Sequence, residues 1–300
     1  MRGSVALARR LRVPPVAVAL SIVAFGTSLP ELVVSVRASL TGYPDLILGN
    51  AVGSNIANIL LVGGVGAAVY PLRMRDRSVR RTGTIMLLTS IVFAWLCWSG
   101  DLSYAEGLAL LLGFGASLAL TAHATVRDYG EEERDPATTP LDWVLGLPSK
   151  LPTIGFFVVV GIVTLPIGAD LLIESAVEIA ARLGVSNTVV GLSVVAVGTS
   201  LPELITSIVA AVHRKPAMVV GTIIGSNTFN LLAIMGISVV ISPGSVPVSG
   251  RFLTLDLPVM VGTALLMVAF AWLGRPIRPV AGVLFIVAYA VYIGVLYLSV

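Results

Sequence analysis

Nine apolar runs, each long enough to cross a hydrocarbon core of about 30 Å, occupy most of this chain: residues 14–40, 44–70, 83–99, 102–124, 151–182, 188–212, 217–241, 252–273 and 279–299. That pattern calls for helices. In lipid every backbone polar group must be satisfied within its segment or in a closed barrel, and barrels need alternating strands of about ten residues, not continuous runs. Composition agrees, with 56% of the 300 residues hydrophobic and only 12% charged, against about 25% charged in soluble domains. The expected fold class is an all-α polytopic membrane protein of nine transmembrane segments, and a water-soluble globule is excluded.

The charges that remain fix an orientation, because Lys and Arg are retained in cytoplasmic loops. Alternate connections, at residues 2–12, 73–81, 127–150, 214–215 and 275–278, collect 16 of the 19 Lys and Arg, leaving Arg37, Arg182 and Arg251. The N-terminus is therefore expected in the cytoplasm and the C-terminus outside, in a multi-pass protein of a prokaryotic inner membrane. A cleaved signal peptide is the rival reading of the Arg-rich start, but the same apolar motif recurs in mid-chain, where no signal peptide can lie. Nucleic-acid binding is disfavoured because no basic run is interleaved with aromatics. The single cysteine, Cys97, excludes an intramolecular disulfide and any cysteine-based metal site.

A shift of 172 residues overlays Gly26-Thr27-Ser28-Leu29-Pro30-Glu31 on Gly198-Thr199-Ser200-Leu201-Pro202-Glu203 without a mismatch, and residues 26–60 then agree at 16 of 35 positions. Gly53-Ser54-Asn55 meets Gly225-Ser226-Asn227, and Asn58 meets Asn230. Five crossings separate the copies, so they are expected to run in opposite directions, the inverted-repeat arrangement of many secondary transporters. The expected organisation is a first inverted repeat at 1–125, a cytoplasmic linker at 126–150 and a second repeat at 151–300. The long run 151–182 precedes the second copy, whereas only residues 1–12 precede the first; a leading helix is expected to be missing, through a late start site or a genuine variation.

Each copy sets a carboxylate in the middle of an apolar segment, which costs several kcal/mol unless compensated. Pro30 and Pro202 lack an N–H and free the carbonyl four residues back, so the helix is expected to break there. Broken ends offer carbonyls, Thr27, Ser28, Thr199 and Ser200 offer hydroxyls, and Ser54 with Asn58 and Ser226 with Asn230 place oxygens one helical turn apart. Such an all-oxygen set suits hard cations such as calcium or sodium. Small residues alone would serve close helix packing, but packing requires no central carboxylate. Asp170 is read either as a gate or helix contact, or with Glu174 and Glu178 as the wet end of a long helix. Arg37 is read as snorkelling or paired, His123 and His213 as interfacial, and Glu131 to Glu133 as a solvated loop.

At these residues the chain resembles the sodium/calcium exchanger (cation/calcium antiporter) superfamily, whose two repeats carry this Gly-Thr-Ser-Leu-Pro-Glu element followed by Gly-Ser-Asn-x-x-Asn or a variant. The resemblance implies ten helices in five-plus-five order and no cofactor, with calcium and sodium ions as transported substrates and the bilayer as surroundings. It implies ion ligands at Ala24, Thr27, Ser28, Glu31, Ser54 and Asn58, and at Ala196, Thr199, Ser200, Glu203, Ser226, Asn227 and Asn230, the alanines through their carbonyls. Many members carry Asp where this chain has Asn230, so two formal negative charges are expected here in place of three. The first of the ten helices is the one expected to be missing here, and the resemblance implies that this helix and its counterpart, residues 151–182, slide together during transport. The expected activity is antiport of calcium against sodium by alternating access. The alternatives are calcium (cation)/proton antiport, which needs the same residues, and a truncated homologue that does not transport. An intramembrane acid–base enzyme is disfavoured because no nucleophile–base pair is evident, and no phosphate-binding Gly-x-x-x-x-Gly-Lys element suggests ATP use.

Overall fold

The computed structural model describes residues 24–128 and 151–298. Its elements in chain order are α1 (Ala24–Thr27), α2 (Leu29–Thr41), α3 (Pro44–Ala57), α4 (Gly63–Val69), α5 (Arg77–Leu96), β1 (Asp101–Leu102), α6 (Tyr104–Asp128) and α7 (Leu151–Leu183). There follow α8 (Asn187–Val190), α9 (Ala196–Thr199), α10 (Leu201–Val212), α11 (Pro216–Phe229), α12 (Met235–Ile241), β2 (Val246–Pro247), α13 (Leu257–Trp272) and α14 (Pro279–Leu298). Six helical stretches among the described residues are long and apolar enough to cross a membrane, or seven if the bent pair Asn187–Thr199 and Leu201–Val212 counts as one span. The start of the expected first segment, the linker's Glu131 to Glu133 and the Arg cluster at 2–12 lie outside the described residues.

Two spans form the centre. In Pro44–Val69 and in Pro216–Ile241, 78% of the apolar window is buried inside the protein, against 17% in Tyr104–Thr121 and 28% in Pro279–Leu298. The outer helices instead turn Leu112, Trp98, Val280 and Leu284 outward, the surface that a bilayer covers at no hydrophobic cost. Both central spans are interrupted at the same place by a π-helical turn, Asn58–Val62 in one and Asn230–Ile234 in the other. Such turns insert a residue into the α-helical ladder and gather at functional sites.

The motif helices break where proline requires it. Ser28 (φ −87°, ψ 10°) ends α1 before α2, and Ser200 (φ −83°, ψ 4°) ends α9 before α10; Pro30 and Pro202 fall in the first turns that follow. A proline is tolerated there because first-turn N–H groups lack helical partners anyway. The second break bends the chain by 46°.

Short backbone pairings set the direction of two neighbouring spans. Leu72 bridges Ile277, and β1 pairs with β2 through Asp101 with Pro247 and Leu102 with Val246. Since α5 leads from the first pairing to the second and α13 leads back, these helices run antiparallel where they pack. At the bundle centre α3 crosses the stretch Gly191–Ala196 in backbone contact. A methyl group on Gly49 would lie 2.8 Å from the Gly191 Cα, and one on Gly53 would lie 2.7 Å from Leu192 O and from the Ala196 Cβ. Glycine at both crossings is a requirement of space.

Candidate ion-binding site

The two proline breaks face each other across the bundle, and their side chains interlock between the two copies. The Ser28 hydroxyl, from the first break, donates to Glu203 Oε1 (2.9 Å) and stands 3.0 Å from Ser226 Oγ. Ser226 Oγ also donates to Glu203 Oε1 at 3.2 Å, and the Thr27 hydroxyl lies within reach of the same carboxylate. In the reciprocal direction Ser200 Oγ donates to Glu31 Oε1 (3.3 Å), with Thr199 beside it. Each carboxylate is thus held by hydroxyls of the opposite copy, and Glu203 also by Ser226 of its own. Glu31 and Glu203 are both fully buried and near enough to repel one another.

A second layer comes from the central helices. Ser54 Oγ lies 3.4 Å from Ala196 O and 3.5 Å from Thr199 Oγ1. The Asn58 amide donates to Asn227 Oδ1 (3.1 Å), and the Asn227 amide donates to Asn55 O (3.1 Å), which joins the two central spans. Thr27, Ser28, Glu31, Ser54, Asn58, Thr199, Ser200, Glu203, Ser226, Asn227 and Asn230 are all buried, and Ala196 is at 0% exposure. Ala24 opens the short helix α1, the counterpart of Ala196 at the start of α9. The structure therefore brings Thr27, Ser28, Glu31, Ser54, Ala196, Thr199, Ser200, Glu203 and Ser226 together, with Asn58 paired to Asn227 on the central spans; Asn230 is buried on the span that carries Ser226 and Asn227.

Electrostatically this cluster is incomplete. Glu31 Oε2, Glu203 Oε2, Asn58 Oδ1 and both polar atoms of Asn230 are buried without a hydrogen-bond partner among the described residues. No cationic side chain among them pairs with either glutamate. Unsatisfied buried acceptors cost about 1–3 kcal/mol each, and more when charged. The four oxygens among these atoms, two of them on carboxylates, offer a hard cation part of the oxygen shell that calcium or sodium takes.

Residues outside the motif also matter. Asn50 donates to Glu31 O (3.1 Å) and Ser35 Oγ (2.9 Å) and accepts from Thr199 Oγ1 (3.0 Å). Asn55, the register partner of Asn227, lies in the same layer. Asp256, at the end of a π-turn spanning Phe252–Asp256, is fully buried away from the motif; it accepts from Tyr292 Oη (3.0 Å) and faces Arg251 Nε at 3.6 Å. A carboxylate within an apolar run was the signal available for Asp256. Arg37 does pair: its guanidinium grips Asp170 through Nε (2.6 Å) and Nη2 (2.7 Å), fastening α2 to the long helix α7. Of the two readings of Asp170, the helix contact is the one observed. His213 caps the end of α10, outside the cluster.

Comparison with known proteins bears on the family and the fold. The sequence model of the family described as "Sodium/calcium exchanger protein" matches residues 1–122 and 153–298. The inner membrane protein YrbG of Escherichia coli (strain K12) is 33% identical, with 97% of this chain and 89% of that protein covered. The sodium/calcium exchanger MaX1 of Methanosarcina acetivorans is 28% identical over 99% of this chain and 93% of its own. Among solved structures, the sodium-calcium exchanger NCX_Mj soaked with Na+ and Sr2+ superposes with a TM-score of 0.71 at 31% identity, covering 97% of this chain and 90% of that one. Fold and family alike are those of membrane transporters, and this chain belongs to the sodium/calcium exchanger family.

Proposed function

We propose that this protein exchanges calcium for sodium across a prokaryotic inner membrane by alternating access, with the ions held between Glu31 and Glu203. The observation that carries this reading is the pair of fully buried carboxylates, one oxygen of each lacking any partner among the described residues. A cation entering between them supplies the missing counter-charge, and the surrounding hydroxyl, amide and carbonyl oxygens of the predicted set replace its water. With Asn230 neutral, two negative charges balance one calcium or two sodium ions. Either load neutralises the site, so either permits reorientation through the apolar interior, while an empty site retains an unpaired charge.

The halves 1–125 and 151–300, joined by the loop 126–150, act in this reading as inverted repeats that together supply nine crossings. The antiparallel run of α5 and α13, which occupy equivalent places in the two halves, supports the inversion. The Arg-rich connections then lie on the cytoplasmic side.

The test is calcium uptake into proteoliposomes driven by an outward sodium gradient. Wild-type vesicles are expected to accumulate calcium, and Glu31→Gln or Glu203→Gln to reduce the rate by at least about 100-fold, the scale of losing a buried charge-assisted contact. Uptake driven by a pH gradient in the absence of sodium would instead identify the proton as the coupling ion. Undiminished uptake by both variants would overturn the site.

A further inference from the structure

We infer that Asn50 is a positioning residue for the ion site: it accepts the hydrogen bond of the Thr199 hydroxyl and so leaves the Thr199 lone pairs and the Glu31 carboxylate free to face a cation. The inference rests on the proposed binding of ions between Glu31 and Glu203, and it concerns a residue outside the repeated motif.

The argument is one of proton accounting. A hydroxyl carries one proton and two lone pairs, and it binds a cation well only when the proton points elsewhere. Thr199 Oγ1 has four possible acceptors around it: Asn50 Oδ1 at 3.0 Å, Ala196 O at 3.2 Å, Ser54 Oγ at 3.5 Å, and the neighbouring Glu31 carboxylate. Three of the four are themselves members of the predicted ligand set. Only Asn50 can accept the hydrogen bond without consuming a ligand.

Asn50 is also held in the orientation this requires. Its amide nitrogen is committed on both sides, to Glu31 O at 3.1 Å and to Ser35 Oγ at 2.9 Å, so the oxygen is the atom left to face Thr199. The side chain is fully buried and so is Ser35, which keeps both from bulk solvent. The Ala196 carbonyl already accepts the helical N–H of Ser200 at 3.1 Å. The Ser54 hydroxyl donates to the same carbonyl at 3.4 Å, so a hydrogen bond from Thr199 would be a third on one oxygen. Because Asn50 bonds the backbone of Glu31 as well, one amide fixes both the carboxylate-bearing turn of the first copy and the hydroxyl-bearing turn of the second. The register partner of Asn50 in the second copy is Thr222, so this device belongs to one half of the site only.

The experiment is a double-mutant cycle read by calcium titration of purified full-length protein. Asn50→Ala is expected to raise the half-saturating calcium concentration about 10-fold, the low end for loss of a group that orients a metal ligand. In a Thr199→Val background, where no proton remains to be placed, the same substitution is expected to change it by less than about twofold. Equal shifts in both backgrounds would overturn the assignment and mark Asn50 as a packing residue. Ser35→Ala, which frees one amide hydrogen of Asn50, gives a second cycle should Asn50→Ala not fold; there a shift of about threefold is expected in the wild-type background and none with Thr199→Val. Failure of the underlying site reading has a separate signature: Glu31→Gln would then titrate like wild type, and the role of Asn50 would fall with it.

Discussion

Three carboxylates among the described residues are fully buried, and they divide into two kinds. Asp256 has its compensation built in: Tyr292 donates to one oxygen and the Arg251 guanidinium faces the other, while Arg251 Nη2 also reaches Leu296 O at 3.2 Å. Glu31 and Glu203 have only neutral donors; one oxygen of each, like Asp256 Oδ2, has no hydrogen bond among the described residues, but only Asp256 Oδ2 faces a cation. The same chemical group is thus used once to fasten the terminal helix α14 to the turn before α13, and twice to leave a charge deficit. Burial alone does not mark a functional acid; burial without a counter-charge does.

The contrast is open to direct attack. The largest effect expected is on ligand stabilisation: calcium at a hundred times its dissociation constant should stabilise the wild-type protein by about 2.7 kcal/mol, and Glu203→Gln by nothing measurable. Thermal unfolding in detergent with and without calcium checks this. Next, Asp256→Asn should lower stability by about 2 kcal/mol, because it strands part of the Arg251 charge, while calcium half-saturation stays within about twofold. A large loss of calcium affinity in that variant would collapse the distinction. Smallest, and opposite in sign, Glu31→Gln should raise stability in chelator by about 1 kcal/mol, since it removes a buried charge rather than a partner.

What could be read from the sequence follows from what a duplication exposes. Glu31 and Glu203, the proline breaks and the Ser-x-x-x-Asn pairs all recur at one spacing, and each recurrence vouches for the other. The cross-linking of the copies, with Ser28 on Glu203 and Ser200 on Glu31, is invisible along the chain because it depends on how the halves meet. Asn50 escaped because its partner position holds Thr222, so the logic of symmetry passed over it. Asn55 had the recurrence but was credited only in its second-copy form, Asn227. Asp256 has no counterpart and stands near the beginning of its apolar run, where an acid reads as interfacial. The π-turns have no sequence signature, although they begin at Asn58 and Asn230, two residues already singled out.

The crossing at Gly49 and Gly53 bears on how such a molecule moves. Helices separated by bulky side chains glide by exchanging rotamers, whereas bare backbones in contact have nothing to exchange. With less than 3 Å from a notional methyl group to the facing backbone, this junction has no room for such exchange. In the alternating access proposed above, the displacements fall to parts around it, such as the long helix α7, which Arg37 of α2 clasps through Asp170.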